Sequence, residues 1–155
     1  MSEAADTVEL ELPARPEVVA IARLVVGAVA SADPAFDEER TADVRLAVSE
    51  ACTNAIQAQR ARMVGNGSDV EPVLVRCMHS PGQIAVTVRD QGGGFDPAEL
   101  APHPEVTDPA RLDHEGGLGI PLMRMLADDL EFDRSSGGTT VRMTFLPRTP
   151  VGWST

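Results

Sequence analysis

Two hydrophobic periodicities alternate along this chain, and their order limits the folds that it can adopt. Apolar residues recur at every second position in some segments and at helical spacing in others. The resulting order is β, α, α, β, β, a long irregular stretch, then α, β, β. Because neighbouring strands are joined by short turns, we expect a mixed, largely antiparallel sheet. Helices covering one face of it would make a two-layer α/β sandwich of the α+β class.

The second predicted helix has the clearest pattern. Asp37 follows a proline-containing break and can cap the helix, and acidic residues in the first turn favour the helix dipole. The helix should continue to a turn near residues 65–68. The apolar residues that share one face at helical spacing are Val44, Ala47, Val48, Ala51, Ala55 and Ala58.

The length of 155 residues suits one domain, residues 1–155, with an ordered core from about 8 to 146. Hydrophobic residues make up 43% of the chain and aromatic residues only 3%, with no Tyr. The core must therefore consist mainly of Val, Leu, Ile, Ala and Met. Cys52 and Cys77 lie in no metal-binding spacing, so we interpret them as buried free thiols in a reducing compartment.

The net charge of −11 restricts the classes of partner. A nucleic-acid-binding domain carries a basic surface, which this composition does not favour, and an anionic membrane surface would repel the chain. The apolar run 18–30 is too short to cross a bilayer and contains Arg23. The start, residues 1–6, is polar and acidic and does not resemble an export signal. We therefore expect a cytoplasmic protein with protein partners.

Glu50 and Asn54 form the first candidate site. They lie four residues apart, so they share one side of the second helix, at the edge of its apolar face. A carboxylate there can act as a base, and a carboxamide oxygen can bind a hard cation. Taken alone, the pair is more typical of an ordinary solvated helix edge than of a site.

Two glycine-rich segments form the other candidates. Residues 90–95, DQGGGF, follow an apolar strand, and there glycines would let the backbone approach a ligand closely. Residues 116–119, GGLG, open the third helix, where backbone N–H groups can bind an anion. Neither segment has the spacing of a Walker or a Rossmann motif. A tight turn and a glycine-rich helix entry are the simpler alternatives.

The irregular stretch 96–116 contains four prolines and little periodicity. Loops of this length in a small domain are usually functional lids or disordered segments. His103, Asp108, Asp113 and His114 suggest a metal site, but their irregular spacing favours a solvated lid.

Together, these segments resemble the motifs of the GHKL, or Bergerat-fold, ATPases. The sequence VSEACTNAI at 48–56 resembles the N box, and DQGGGF at 90–95 resembles the first glycine-rich box. GLGI at 117–120 resembles the second, and GTTVRMT at 138–144 resembles the closing strand. The residues within these motifs are most similar to those of the bacterial anti-sigma-factor serine/threonine kinases. The resemblance runs from about residue 8 to residue 146.

The resemblance implies a role for each matching residue. Glu50 would be the catalytic general base, Asn54 would bind Mg²⁺, and Asp90 would accept a hydrogen bond from the adenine of ATP. Arg23 matches an arginine that such kinases use to bind protein partners, although it could equally be a snorkelling side chain. The remaining matches are Gly92 and Gly94 around adenine, Gly117 and Gly119 near the phosphates, and Thr139 at the adenine end.

The family also implies partners. Such a protein sequesters a sigma factor, phosphorylates a Ser or Thr of a STAS-domain anti-anti-sigma factor, and is usually a homodimer. Two departures, Gln57 where a histidine is common and His114 where a basic residue is common, leave open an ATP-binding anti-sigma module without phosphotransfer. A detached histidine-kinase catalytic domain is disfavoured, because no helix with a phosphoacceptor histidine precedes the N box.

Overall fold

The computed structural model describes residues 5–66, 71–91, 119–135 and 137–148, and their elements follow the predicted order. A short 3-10 turn, Pro16–Val18, leads into the first helix. The helices are α1 (Val19–Ser31), α2 (Glu38–Asn66) and α3 (Gly119–Leu126). The strands are β1 (Asp6–Leu12), β2 (Val73–Ser80), β3 (Gln83–Asp90), β4 (Asp129–Ser135) and β5 (Gly138–Phe145).

The five strands form one sheet in the order β1-β2-β3-β5-β4. Every pairing between these strands is antiparallel, so the largely antiparallel sheet is confirmed, without a parallel pair in the described part of the chain. Tight turns close both hairpins, and Gly82 and Gly137 adopt the positive φ angles of 76° and 97° that these turns require. Strand β3 therefore lies in the middle of the sheet, next to β5.

The helices cover one face of the sheet. Alternate residues of β2, β3 and β5 are buried, and most of their neighbours on the opposite face are partly or fully exposed. Helix α2 packs on β3, β2 and β5, while α1 and α3 pack beside α2. The two-layer α/β sandwich of the α+β class is confirmed.

The predicted cap and apolar face of α2 are also confirmed. The backbone N–H of Arg40 donates a hydrogen bond to Oδ1 of Asp37, 2.7 Å away, so Asp37 caps the helix. The predicted face of α2 is buried, except that Ala58 at its end is only half-buried. The largest fully buried side chains are Phe145, Ile56, Ile84, Met123 and Met143, with a set of valines.

Both cysteines are free and buried, as the sequence predicts. Burial disfavours the thiolate and raises the pKa of Cys52 to about 12 and that of Cys77 to about 11. Both thiols therefore stay protonated at neutral pH and serve as packing groups.

Arg40 joins three chain segments from inside the protein. Arg40 is only 2% exposed. Nε donates to the carbonyl oxygen of Leu146, 2.8 Å away, and a terminal nitrogen donates to that of Leu126, 2.6 Å away. The other terminal nitrogen pairs with Asp128 at 2.6 Å, and the guanidinium lies over the ring of Phe145. The start of α2 is thereby tied to the end of α3 and to the chain after β5.

Asp33 makes comparable connections beside the start of β3. Its Oδ2 lies 2.9 Å from Nε2 of His79 and 3.0 Å from the backbone nitrogen of Gly82. Its Oδ1 accepts from the backbone N–H of Ala35. These hydrogen bonds, that of His79 most of all, hold the pKa of Asp33 below its ordinary value. The buried carboxylate thus connects the loop between α1 and α2 to the β2–β3 hairpin.

Among the described helices, none combines the length and the hydrophobicity that a transmembrane span requires.

Asp33→Asn should destabilise the protein at neutral pH by about 1–3 kcal/mol, because an amide nitrogen cannot accept from both His79 and Gly82. Since the pKa of the folded carboxylate is lowered, its stabilisation is present above the ordinary value of 3.8 and is lost as the pH falls through the folded pKa. Urea unfolding at several pH values measures this. The assignment would be contradicted if the difference in unfolding free energy between mutant and wild type did not shrink as the pH falls through the folded pKa of Asp33.

Candidate functional site

Glu50 and Asn54 meet the first residue of helix α3. Both are half-buried on α2, one turn apart, at the edge of its buried face. A methyl group added to Gly119 would lie 2.9 Å from Nδ2 of Asn54 and 3.3 Å from Oε2 of Glu50. The structure therefore brings together residues of the predicted N box and of the predicted second glycine-rich box, which are far apart in the sequence.

Asp90 and Thr139 meet across the middle of the sheet. They are register partners in the β3–β5 pairing, and they are 5% and 1% exposed. Oγ1 of Thr139 is buried and has no hydrogen-bond partner among the residues that the structure describes. Gly138 packs so closely against Asp90 that any Cβ there would overlap the Asp90 carbonyl oxygen. The carboxylate of Asp90 and the hydroxyl of Thr139 thus lie on neighbouring strands at the end of β3.

Arg23 lies on the exposed side of α1, beside the turn of α2 that carries Glu50. Its Nε donates to Oγ of Ser49, 2.9 Å away, and Ser49 Oγ donates in turn to the carbonyl oxygen of Arg45. Two large apolar residues near it on α1, Ile21 and Leu24, are 49% and 73% exposed. Arg23 is therefore exposed beside α2, and α1 also carries exposed apolar side chains.

Several predicted site residues lie outside the described residues. They are Gly92, Gly94, Gly117, the expected lid 96–116 and, within it, the four residues considered as metal ligands. Gln57 is described and is half-buried on α2, one turn beyond Asn54.

Gln59 is a site residue that the sequence interpretation missed. It is 3% exposed, and its Oε1 accepts a hydrogen bond from the backbone N–H of Gln91, 2.6 Å away. Its Nε2 donates to the carbonyl oxygen of Glu71. The sequence contains a signal for it, because Gln59 follows Ala55 and Ile56 at helical spacing and so falls on a core position. A polar residue there needs buried partners.

The chemical groups of these residues are of the kinds that can bind a nucleotide. Asp90 and the Thr139 hydroxyl offer hydrogen-bonding groups to a base in a buried setting. Backbone N–H groups at the start of a helix, here at Gly119, can bind anions. Asn54 provides an amide oxygen of the type that Mg²⁺ accepts. Gly119 packs so closely against that amide that an added Cβ would displace it.

Comparisons with known proteins identify the family to which this chain belongs. Residues 12–145 match the model of the histidine kinase-like ATPase domain, so the chain belongs to that family. In an RsbU–RsbW domain structure from Mycobacterium tuberculosis, a matching region has a TM-score of 0.65 over 97% of this chain. This chain spans 35% of that structure's chain, and the identity is 18%, so this likeness concerns the fold alone.

Full-length relatives narrow the family further. The chain is 38% identical to the serine-protein kinase RsbW of Bacillus pumilus, over all of this chain and 95% of the relative. It is 36% identical to the serine-protein kinase RsbW of Bacillus subtilis, over 93% of this chain and 88% of the relative. The RsbW of Listeria monocytogenes is 32% identical over 91% of this chain. The chain therefore belongs to the RsbW family of serine-protein kinases, which confirms the resemblance stated above.

Gly119→Ala should weaken ATP binding by about tenfold, because an added methyl group would displace Asn54 and Glu50. The fold should be kept, since Ala favours a helix more than Gly does. Isothermal calorimetry with ATP measures the affinity, and thermal unfolding measures the stability.

Gly82→Ala is the control for this substitution. It strains a turn with a φ of 76° at the opposite end of β3 and meets no atom within 4 Å. It should lower stability and leave ATP affinity unchanged. An unchanged ATP affinity in Gly119→Ala would mean that Gly119 does not border the nucleotide.

Proposed function

We propose that this chain is a cytoplasmic ATP-dependent anti-sigma factor that acts by partner switching. It would sequester a sigma factor and phosphorylate a Ser or Thr of a STAS-domain anti-anti-sigma factor. The observation that carries the proposal is the contact region of Glu50, Asn54 and Gly119. Identity to serine-protein kinases over nearly the full length of both chains supports it.

Each described residue of the site has a task in this proposal. Bound Mg-ATP would supply the phosphoryl group and the metal charge that phosphoryl transfer needs. Asn54 would hold the metal, and Gly119 would leave room for the phosphates. Asp90 would accept a hydrogen bond from the adenine amino group, and Thr139 would contribute its hydroxyl, which has no partner among the described residues, to binding of the same base.

Glu50 would act on the protein substrate. Its carboxylate lies beside Gly119, where the phosphates are proposed to bind, and is half-buried rather than fully solvated. From there it would remove the proton of an incoming Ser or Thr hydroxyl as that oxygen attacks the terminal phosphorus of ATP and ADP leaves. The phosphate added to the partner carries about two negative charges, which would disrupt its interface with this chain and release the partner.

The partner surface is proposed to include Arg23 together with Ile21 and Leu24. Exposed aliphatic side chains on the same helix as an exposed basic group are compatible with a protein-binding surface, in which aliphatic contacts supply affinity and the charge supplies orientation. Because the family is usually dimeric, we also propose that this protein is a homodimer.

Glu50→Gln should lower the rate of phosphate transfer by about 10²–10⁴, because an amide cannot act as a general base. ATP affinity should stay within about threefold, since the substitution keeps size and hydrogen-bonding reach. The measurement is transfer from labelled ATP to a STAS-domain partner, with Glu39→Gln, an exposed residue of the same helix, as the control.

Wild-type protein that binds ATP and a STAS-domain partner but transfers no phosphate would refute the kinase and favour an ATP-binding anti-sigma module. Transfer by Glu50→Gln at the wild-type rate would place the base elsewhere.

Arg23→Ala should weaken binding of the sigma factor or the STAS-domain partner by about tenfold and leave ATP affinity unchanged, because charged hydrogen bonds at interfaces are worth about 1.5–3 kcal/mol. Arg142→Ala, which removes an exposed arginine of β5, is the matched control. Surface plasmon resonance with both partners measures the effect. Equal affinities for the two variants would exclude Arg23 from the interface.

A further inference from the structure

The peptide group that joins Asp90 to Gln91 is held from both sides. Its N–H donates to Oε1 of Gln59, 2.6 Å away. Its carbonyl oxygen lies against Gly138, so closely that no side chain could replace the hydrogen there. Because a peptide group is planar, contacts at both its N–H and its C=O fix its orientation.

Gln59 is itself fixed. Its Nε2 donates to the carbonyl oxygen of Glu71, and the residue is 3% exposed. A reversed carboxamide would point its NH₂ at the Gln91 N–H and its oxygen at the Glu71 carbonyl, and would lose both hydrogen bonds. The carboxamide therefore has one orientation. It connects α2 to the end of the sheet at which β3 finishes and β2 begins.

We propose that Gln59 is a positioning residue that orients Asp90 for recognition of adenine. This proposal rests on the proposed function of Asp90. The peptide that Gln59 holds is bonded directly to the Cα of Asp90, so its orientation sets the direction of the Asp90 side chain. Asp90 is 5% exposed, and in such a confined setting a small rotation cannot be compensated by solvent.

The chemistry of the bases makes this role measurable. Adenine carries an amino group, a donor, at the position where guanine carries a carbonyl oxygen. A well-oriented carboxylate accepts from the first and repels the second, so Asp90 should make the protein prefer ATP to GTP. Loss of orientation would lower affinity for ATP and leave the weak affinity for GTP nearly unchanged. A defect that only destabilises the fold would not change the ratio.

The test is calorimetric measurement of ATP and GTP affinity for the whole chain, without a protein partner. Gln59→Met keeps the length of the side chain and removes both hydrogen bonds. It should weaken ATP binding by about fivefold to tenfold and lower the ATP-to-GTP preference by a similar factor. Gln59→Glu retains an oxygen that can accept from Gln91, and should keep more of the preference than Gln59→Met.

Two further variants separate positioning from stability. Asp33→Asn removes buried hydrogen bonds at the opposite end of β3 and should keep the wild-type preference. Gly138→Ala displaces the same peptide from its carbonyl side, so it should lower the preference although Gln59 is intact. It serves as the test if Gln59→Met does not fold by circular dichroism.

The outcomes separate the two proposals. A wild-type protein that binds no ATP would overturn the proposed function and this inference with it. A wild-type protein that prefers ATP, together with a folded Gln59→Met or Gly138→Ala variant of equal preference, would overturn the positioning role alone. An equal loss of preference in Asp33→Asn would also overturn it, because destabilisation would then explain the effect.

Discussion

The packing of helix α2 across the buried face of the sheet is the constraint on which the rest of the structure depends. The helix contacts β2, β3 and β5 as well as α1 and α3. The apolar residues on its buried face are mainly alanines and valines, so the helix can lie close to the sheet. Residues at the edge of that face are thereby placed where α3 begins and where β3 ends. Glu50 and Asn54 reach the first of these places, and Gln59 reaches the second.

Three buried polar side chains add specificity to an otherwise aliphatic core. Arg40, Asp33 and Gln59 each bind backbone groups at the ends of helices or strands. A buried polar group that lost its partners would cost more free energy than the hydrogen bond contributes, so each of these side chains strongly disfavours alternative arrangements. Arg40 and Asp33 fix connections away from the candidate site, whereas Gln59 fixes the backbone within it.

The acidity of the chain limits how the site can bind a polyphosphate. Two of its described residues, Glu50 and Asp90, are carboxylic acids. Neither can neutralise phosphate, so that task would fall to backbone N–H groups at the start of α3 and to a metal held by Asn54. Under the proposed function, this division would leave Glu50 available for the protein substrate and Asp90 for the base. It also explains why a net charge of −11 is compatible with nucleotide binding, since the charges that matter are local.

The sequence by itself determined the elements, the chemistry-bearing motifs and the family. Alternation in the strands and helical spacing in α2 are local patterns, and Asp37 as the cap of α2 follows from its neighbours in the chain. The motifs at 48–56, 90–95, 117–120 and 138–144 are likewise short segments that can be recognised one at a time. Pairings between distant segments were not determined in this way.

Only the tertiary structure decided that Gly119 lies against Glu50 and Asn54, that Asp90 pairs with Thr139, and that Gln59 holds the peptide after Asp90. Arg40 and Asp33 were likewise missed as structural residues, because their partners are carbonyl, amide and side-chain groups far away in the sequence. The physical reason is the same in each case. Hydrophobic periodicity specifies which face of an element is buried, but the partner of a buried polar group depends on strand order and register, which form only when the sheet and helices pack.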